Sequence, residues 1–354
     1  MRQTKSDSLR KESKPVTLAD IAAMAMVSNQ TVSRVINNHA NVSAKTRARV
    51  LAAVNQLGYR PNNAARALVT GNSKMLGLLA LDMPSMSGLA SQYAIERSAR
   101  DNGYYITIAT MDEIRPSSFL HAVEWLRRQA VDGLLVVAPT YDANEALEKI
   151  ADELPLVVIE GDPDSPFATV SVDQVSGAKA ATEHLLSLGH QSVFHVGGPT
   201  GWRQTDERIL GWRLALESYG VDAPMPLSGD WSAKSGYELG QTLAMIPELT
   251  AIFVAADRMA FGAIRAFAEK GRRVPHDVAI VGFDDIPEAA FYCPPLSTVR
   301  QDFQEVGARA LELLLMQIES GKRSDINVTI GCDLIVRESS LPQPYDFEDR
   351  TDRL

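Results

Sequence analysis

Apolar positions in residues 17–60 recur at helical spacing in three short stretches, which predict three helices. The first helix begins at Thr17, with Asp20 placed three residues later to complete a capping box. The second begins at Ser28, and the third ends at Gly58, which suits the left-handed backbone at a helix C-terminus. Because only a few residues separate the first two helices, the pattern predicts a helix-turn-helix head.

From Met75 onwards, continuous apolar runs alternate with stretches of helical periodicity. Such runs predict strands buried on both faces, as in parallel sheets covered by helices. The predicted strands form two series, 75–81, 104–110, 133–137, 156–159 and 168–172, then 192–197, 251–255, 278–283 and 296–299. Helices are predicted from near Leu89, Ser117 and Ala143, and over 174–188, 205–219, 233–245, 257–270 and 302–320. The body is therefore predicted to be an α/β core of two doubly wound parallel-sheet lobes, with a ligand site between them at the carboxyl ends of the strands.

The distribution of charge separates the head from the body. The chain has 354 residues, enough for two or three domains, and a net charge of −9. Residues 1–72 carry a charge of +8 and the remainder carries −17. A basic head on an acidic body is typical of a nucleic-acid-binding module joined to a separate domain, although a solvated basic tail would give the same excess.

No feature of the sequence indicates a membrane protein or an exported protein. The longest apolar runs are shorter than the roughly 18 residues that a membrane helix needs, and residues 1–15 lack the apolar core of a secretory signal. Cys293 and Cys332 fit no metal spacing and no disulfide framework. We therefore expect a cytoplasmic protein with no membrane partner and no metal site.

Signals of enzymatic activity are weak. The sequence contains no dinucleotide-binding glycine motif, P-loop, nucleophile elbow or zinc-protease helix. The titratable residues that lie close together in sequence are Glu183, His184 and His190, and the adjacent pair Asp284 and Asp285. A solvated helix face explains the first group, and the side chains of consecutive residues point apart. The sequence thus predicts no catalytic residue and no cofactor.

The polar face of the predicted second helix carries side chains that can bind DNA. In the major groove, Gln30 can pair with adenine, and Arg34, one turn later, can pair with guanine. Ser28, Thr31 and Ser33 can contact phosphates. An ordinary solvated helix face is the alternative interpretation of the same residues.

The head resembles the DNA-binding domain of the LacI/GalR family of bacterial transcriptional repressors. The resemblance is carried by the segments P-V-T-L-A-D-I-A, V-S-N-Q-T-V-S-R-V-I-N-N, V-S-A-K-T-R-A-R-V and L-G-Y-R-P-N. It implies DNA contacts at Thr17, Ser28, Asn29, Gln30, Thr31, Ser33, Arg34 and Asn37. Two positions depart from the pattern. Asn29 stands where one member has a base-reading tyrosine, so a different operator is expected. Met26 stands where a glycine usually lies in the turn, and a bulky residue with a positive φ would cost about 1–2 kcal/mol unless the turn is reshaped.

A short helical pattern follows Pro61 and ends at Gly71, and it is too short to be stable alone in water. The resemblance implies a hinge helix that forms on operator DNA, where Leu68 would wedge between base pairs and kink the duplex. Asn62 and Ala65 are the further DNA contacts implied for this segment. A plain linker between domains is the alternative.

The body resembles the core of the same family, which is similar to type I periplasmic sugar-binding proteins. The shared segments are L-L-S-L-G-H, V-G-G-P, E-R-I-L-G-W, G-D-W-S-A-K-S-G, A-A-D-R-M-A-F-G-A, I-V-G-F-D-D and P-P-L-S-T-V-R-Q-D-F. The resemblance implies an effector site at Glu160, Arg208, Trp231, Asp284, Gln301 and Phe303. Trp202 is an added aromatic in the loop after V-G-G-P, either a second platform for the sugar or packing for a lid. Charged planar groups suit sugar hydroxyls, and an aromatic face suits the apolar side of a sugar ring. Ala256 and Val137 replace asparagines of one family member, which leaves the sugar undetermined.

Together these features predict a homodimeric repressor that a carbohydrate effector, a galactoside-like or related sugar, releases from near-palindromic double-stranded operator DNA. Two alternatives stay open: a family member that uses a purine or a phosphoprotein as corepressor, and a cytoplasmic sugar-binding protein without enzymatic activity. A looping tetramer is not expected, because no apolar heptad repeat can be written after Ser340.

The predicted domain organisation has five parts. They are a flexible tail (1–15), a helix-turn-helix domain (16–62), a hinge helix and linker (63–74), an effector-binding and dimerisation core (75–340) and a C-terminal tail (341–354). Within the core, lobe one is expected to comprise about 75–173 and 301–330, and lobe two about 174–300 and 331–340.

Overall fold

The computed structural model describes residues 16–36, 41–59, 72–81, 86–111, 116–137, 147–148, 153–162 and 164–341. The chain divides into two compact units, Met1–Ser73 and Lys74–Leu354, which we call the head and the core. Several predictions lie outside the described residues. They are the DNA contacts Asn37, Asn62, Ala65 and Leu68, the N-terminal tail, most of the C-terminal tail and nearly all of the helix expected near Ala143.

The described part of the head contains the three predicted helices, α1 (Leu18–Ala25), α2 (Asn29–Ile36) and α3 (Ala44–Leu57). The capping box is confirmed, because the Thr17 amide donates to Asp20 Oδ2 at 2.8 Å and the Asp20 amide donates to Thr17 Oγ1 at 3.4 Å. Residues from all three helices form one small apolar core: Ile21, Ala22, Ala25, Val32, Val35, Val50 and Ala53. Burial of the two α2 valines leaves the polar face of α2 on the surface.

The turn after α1 holds Met26 in the left-handed conformation, with a φ of 50°. Its backbone N–H bonds to carbonyls of the last turn of α1, as a C-terminal cap does. The side chain is 84% exposed and therefore meets no obstacle. The turn is not reshaped for the bulky residue, so the left-handed backbone carries its usual cost of about 1–2 kcal/mol.

The core alternates strands and helices along the chain. Its first half contains β1 (Met75–Leu81), α4 (Met86–Asp101), β2 (Tyr105–Met111), α5 (Pro116–Arg128), β3 (Gly133–Val137), β4 (Leu156–Ile159), β5 (Thr169–Val172), α6 (Gln174–Ser187), β6 (Phe194–Gly197) and α7 (Arg203–Ser218). Its second half contains β7 (Leu227–Ser228), α8 (Ala233–Leu243), β8 (Ala251–Val254), α9 (Asp257–Glu269), β9 (Ala279–Val281), a 3₁₀ helix (Pro287–Phe291), β10 (Thr298–Gln301), α10 (Phe303–Ser320), β11 (Asn327–Ile330) and β12 (Cys332–Ile335).

Two parallel sheets form the two lobes. Lobe one has six strands in the order β11-β5-β4-β3-β1-β2, and lobe two has four in the order β7-β6-β8-β9. All pairs within these two sheets are parallel. The predicted α/β core of two doubly wound lobes is therefore confirmed. The sequence pattern missed β7, β11 and β12, which contain no continuous apolar run.

The strand predicted at 296–299 is β10. Parallel bridges join Ser297 to Val281 and Arg300 to Asp284, so the segment lies beside the edge of the second parallel sheet as predicted. It also pairs antiparallel with β12 in a two-stranded sheet. The chain passes between the lobes three times: after β5, after β10 and after β11. We call residues 172–174, 301–303 and 330–332 the crossing segments. Strand β10 thus leads into one crossing segment, and strand β12 follows another.

Most of the apolar strands are buried on both faces, as their sequences predict, whereas the edge strand β2 leaves Tyr105 and Ile108 exposed. In β1, Leu78 belongs to the cluster that contains Ile95 of α4 and Leu314 of α10. The next residue, Leu79, belongs to the cluster on the other face, with Phe119 of α5. Successive strand residues point to opposite faces, so helices on both sides are needed to cover them. None of the helices among the described residues has the length and apolarity that crossing a bilayer requires.

Candidate functional site

A cavity between the two lobes brings together all seven residues that the sequence analysis singled out in the body. Its wall includes Glu160, Trp202, Arg208, Trp231, Asp284, Gln301 and Phe303. The cavity comprises about 920 Å³, including space open to solvent. It lies at the carboxyl ends of the strands, where Leu81 ends β1 and Val137 ends β3. We call it the interlobe cavity.

The two lobes contribute different chemistry to the described wall. Lobe two supplies the cations Arg208 and Arg258 and the carboxylate Asp284. Lobe one supplies one carboxylate, Glu160, and otherwise mainly apolar or neutral side chains: Ala80, Leu81, Gly88, Ser91, Gln92, Val137 and Ile159. A ligand held here meets two cations and one carboxylate from lobe two and one carboxylate from lobe one, and both lobes also supply apolar surface.

Arg208 lies on α7, is 4% exposed and has partners on all sides of its guanidinium group. Its Nε donates to Gln174 Oε1 at 2.8 Å, and Nη1 donates to the Ala255 carbonyl. Its Nη2 lies 3.8 Å from Asp284 Oδ1. The guanidinium carbon also stands 3.8 Å above the ring centre of Phe283. These contacts fix the plane in which Arg208 can present its remaining N–H groups to a ligand.

Asp284 follows β9 with a φ of 115°, an unusual backbone conformation for a residue with a side chain. Its Oδ1 accepts from Gln301 Nε2 at 2.7 Å. Burial raises the pKa of Asp284 to about 6, against the opposing effects of Arg208 and the Gln301 hydrogen bond. The carboxyl group is thus a buried acceptor that is costly to leave ionised without partners.

Glu160 follows β4 and also has a positive φ, of 57°. Its Oε1 accepts from the Val172 amide at 3.3 Å and its Oε2 from Gln174 Nε2 at 3.5 Å. Burial raises the pKa of Glu160 to about 7, and the nearby Glu207 raises it further while Arg208 lowers it. A group with this pKa can bind or release a proton near neutral pH.

Trp231 and Trp202 form an edge-to-face pair, with ring centres 6.0 Å apart and planes at 68°. Trp231 has a φ of 70°, and a Cβ added at Gly198 would collide with its ring. This contact explains the second glycine of the V-G-G-P segment. The buried Nε1 of Trp231 has no hydrogen-bond partner among the described residues. The same holds for the Oε1 of Gln204, which also belongs to the cavity wall.

Gln174 is the residue that sequence reasoning missed. It is 1% exposed, is the last residue of a crossing segment and the first of α6, and hydrogen-bonds to three of the seven predicted residues: Glu160, Arg208 and Gln301. No local signal could have identified it, because its nearest of these partners is 14 positions away in sequence. Arg258 and Gln204 in the cavity wall were missed as well.

The titratable residues that the sequence analysis set aside have separate structural partners. Asp285 accepts from Arg300 Nε and Arg337 Nη2, both at 2.7 Å, whereas Asp284 faces the cavity, so the two carboxylates do point apart. His184 contacts Ser340 at 2.8 Å, His190 contacts Thr250 at 3.0 Å, and Glu183 pairs with Lys179 at 3.6 Å. Within the described part of the chain, no cluster of side chains could hold a metal ion.

On the head, α2 presents the predicted DNA contacts along one side. Asn29, Gln30 and Arg34 are exposed. Ser28 Oγ accepts from the Thr31 amide at 3.2 Å and lies 3.0 Å from Thr31 Oγ1, so these hydroxyls also cap the helix. Thr17 caps the N-terminus of α1 in the same way. Ser33 is half-buried.

Comparison with known proteins gives a consistent result for both units. Residues 17–62 match the family model described as bacterial regulatory proteins of the lacI family, and residues 182–340 match a periplasmic binding protein-like domain. The chain is 35% identical to the lactose operon repressor of Escherichia coli K12 over 93% of this chain and 91% of that protein. It is 32% identical to the transcriptional repressor PurR of Haemophilus influenzae Rd over 91% of this chain and 98% of that protein.

A solved structure is similar to nearly the whole chain. The lac repressor dimer bound to operator and the anti-inducer ONPF superposes with a TM-score of 0.83 and 33% sequence identity. The match covers 93% of this chain and all of that one.

Proposed function

This chain belongs to the LacI family of bacterial regulatory proteins and is a DNA-binding transcriptional repressor, and we propose that a carbohydrate bound in the interlobe cavity releases it from operator DNA. The observation that carries the proposal is the pairing of Arg208 with Asp284 beside two indole rings in one cavity. Repressors of this family are regulators and not enzymes, so a binding role for these groups is the natural interpretation.

The chemistry of the wall suits a sugar. A hydroxyl group both donates and accepts, so neighbouring hydroxyls of one ring can bridge the guanidinium donor of Arg208 and the carboxylate acceptor of Asp284. The face of Trp231 suits the apolar C–H side of the ring. A galactoside-like or related sugar would satisfy these groups, with Glu160 and Gln301 as further hydroxyl partners and Phe303 and Trp202 as further apolar surface.

For the head, we propose major-groove recognition through Gln30 and Arg34, with Asn29 contributing a preference of its own. Two heads on a near-palindromic operator require a homodimer. In the proposed hinge, residues 63–74, Leu68 wedges into the minor groove and bends the duplex. Replacing Leu68 by Ala should then reduce the bend in a gel-shift phasing assay while sugar binding is retained.

A purine corepressor is the second candidate, because the three aromatic rings in the wall, Trp202, Trp231 and Phe303, could stack on a planar base. Neighbouring hydroxyls can engage the Arg208 donor and the Asp284 acceptor together while the apolar face of a sugar ring meets Trp231, so the sugar is the first choice.

The test is a titration of the full-length protein with monosaccharides, disaccharides and purine bases. Thermal unfolding reports binding, and fluorescence anisotropy of a labelled operator reports release. We expect a sugar to stabilise the core and release DNA, and Arg208→Ala to abolish both effects. Arg265→Ala is the matched control, because Arg265 is exposed and pairs only with a neighbour on its own helix among the ion pairs described. Stabilisation by a purine alone, with tighter DNA binding, would replace the proposal by the second candidate.

A further inference from the structure

Four side chains beside the interlobe cavity form a closed ring of polar contacts. Arg208 Nε donates to Gln174 Oε1 at 2.8 Å, and Gln174 Nε2 donates to Gln301 Oε1 at 3.0 Å. Gln301 Nε2 donates to Asp284 Oδ1 at 2.7 Å, and Asp284 Oδ1 lies 3.8 Å from Arg208 Nη2. Two members of the ring, Arg208 and Asp284, are therefore the cation and the carboxylate that the proposed effector would contact.

Chemistry fixes the direction of every hydrogen bond in the ring. A guanidinium group has only donors, so Gln174 must turn its oxygen towards Arg208 and its nitrogen towards Gln301. An ionised carboxylate has only acceptors, so Gln301 must turn its nitrogen towards Asp284 and its oxygen towards Gln174. Both amides are thus held in one orientation. No apolar or singly functional side chain at position 174 could accept from one neighbour and donate to the other.

The two glutamines belong to the connections between the lobes. Gln174 ends the crossing segment that leaves β5, and Gln301 begins the crossing segment that leads to α10. Their mutual hydrogen bond joins two crossing segments that are 127 positions apart in sequence. Gln174 Nε2 also lies 3.5 Å from Glu160 Oε2 on lobe one. Water has little access, because Gln174 is 1% and Gln301 is 6% exposed.

We propose that Gln174 is a positioning residue that aligns Arg208 and Gln301 for the effector and couples the occupied cavity to the crossing segments. Gln174 does not belong to the cavity wall, so it acts through its neighbours. A group that binds Arg208 and Asp284 changes the positions of these two ring members. Their hydrogen bonds transmit the change to Gln174 and Gln301, which belong to the connections between the lobes. The reference to an effector rests on the proposed function, whereas the ring itself does not.

The first experiment needs no ligand. Hydrogen–deuterium exchange of the full-length dimer is followed in peptides that cover residues 169–177 and 298–305. Gln174→Met keeps the side-chain length but removes both the donor and the acceptor, and we expect exchange in both peptides to accelerate about tenfold or more. Gln317→Met is the matched control, since Gln317 is equally buried but donates to the Leu156 carbonyl within lobe one. Equal exchange in the two variants at both segments would overturn the proposal.

A rescue separates positioning from simple loss of packing. In Gln174→Glu the carboxylate can still accept from Arg208 but cannot donate to Glu160 or Gln301, so we expect faster exchange here too. Adding Glu160→Gln supplies the missing donor from the opposite side and removes one of the two facing carboxylates. The double variant should regain a large part of the protection that Gln174→Glu loses. No recovery relative to Gln174→Glu alone would contradict the positioning role of Gln174.

The second experiment adds lactose, D-galactose and cellobiose as probes. If any of them stabilises the wild type, Gln174→Met should weaken that sugar by about tenfold or more, and Gln317→Met should not. Unchanged affinity in Gln174→Met would overturn the positioning role. If none of these sugars or the wider panel binds the wild type, the proposed sugar effector fails, and the exchange experiment still decides whether the ring holds the crossing segments.

Discussion

The head and the core present their functional side chains in opposite ways. In the head, Gln30 and Arg34 are exposed on one face of α2. In the core, Arg208 is 4% exposed and held by Gln174, Ala255 and Asp284. A surface side chain can be exchanged with little effect on folding, whereas a buried one is part of the fold. We therefore expect substitutions of functional side chains in the head to change DNA binding without changing stability. In the core, we expect such substitutions to change effector binding and stability together.

The largest effect is expected in the core. Arg208→Ala leaves the Asp284 carboxylate buried without its cation and should lower the free energy of unfolding of the core by about 3 kcal/mol. Urea unfolding of the full-length protein measures the change, with the exposed substitution Arg265→Ala as control. A core as stable as that of the control would show that Arg208 is not structurally coupled.

The pH dependence of stability should also arise from the core. The pKa values of Glu160 and Asp284 are raised to about 7 and about 6, from 4.5 and 3.8, so between these values the folded protein holds more protons than the unfolded chain. Stability from these groups is therefore greatest in acid and falls as pH rises through about 7, by at most about 1.4 kcal/mol per pH unit for each group.

Glu160→Gln removes one of these two titrations, so the decline in stability between about pH 5 and about pH 7 should become shallower. Urea unfolding at several pH values tests this expectation. The exposed substitution Glu96→Gln is the control. A decline as steep in Glu160→Gln as in the control would mean that Glu160 does not titrate in this range.

In the head, binding should change while stability does not. Arg34→Ala should cost about 1–3 kcal/mol on the cognate operator, because a guanine contact is lost. Thermal unfolding of the head should stay as in the wild type, since Arg34 is exposed. Anisotropy titrations with specific and random duplexes measure the ratio of the two affinities. If the ratio of specific to random affinity stayed as in the wild type, Arg34 would not take part in base recognition.

The smallest effect is expected at the turn of the head. Met26→Gly should stabilise the head by about 1 kcal/mol, because glycine adopts the left-handed conformation without the penalty of a Cβ. Met26→Ala keeps the Cβ and should bring no such gain. Thermal unfolding of both variants makes the comparison, and equal stability of the two would show that the turn is unstrained.

The same contrast explains what the sequence could predict. Helical spacing in residues 17–60 predicts both the head and its exposed face, because the core residues of each helix lie within a turn of one another. In the body, continuous apolar runs predict most strands of both sheets. The short strand β12 was missed because it has no continuous apolar run and is defined by pairing with β10, a partner more than 30 positions away.

Six of the seven cavity residues could be named in advance because they correspond to positions of a known family, and Trp202 was proposed as an added aromatic in the loop after V-G-G-P. Gln174 could not, because a glutamine at the start of a helix has no distinguishing property until Arg208 and Gln301 are placed against it. The raised pKa of Glu160 is likewise a product of burial and of Glu207, neither of which its own strand reveals. The residue type predicts which chemical group is available. Packing against residues distant in sequence decides the orientation and the protonation of that group.

Seven non-glycine residues with a positive φ occur in the described structure, and three of them, Glu160, Trp231 and Asp284, belong to the cavity wall. A glycine at any of these positions would adopt the same backbone with less strain, but it would remove a side chain from the cavity wall. The effector site therefore costs the fold some stability at three positions. In a lineage that no longer needs its effector, substitution by glycine would carry no loss of binding, so we expect relatives with glycine there to be regulators that have lost their response.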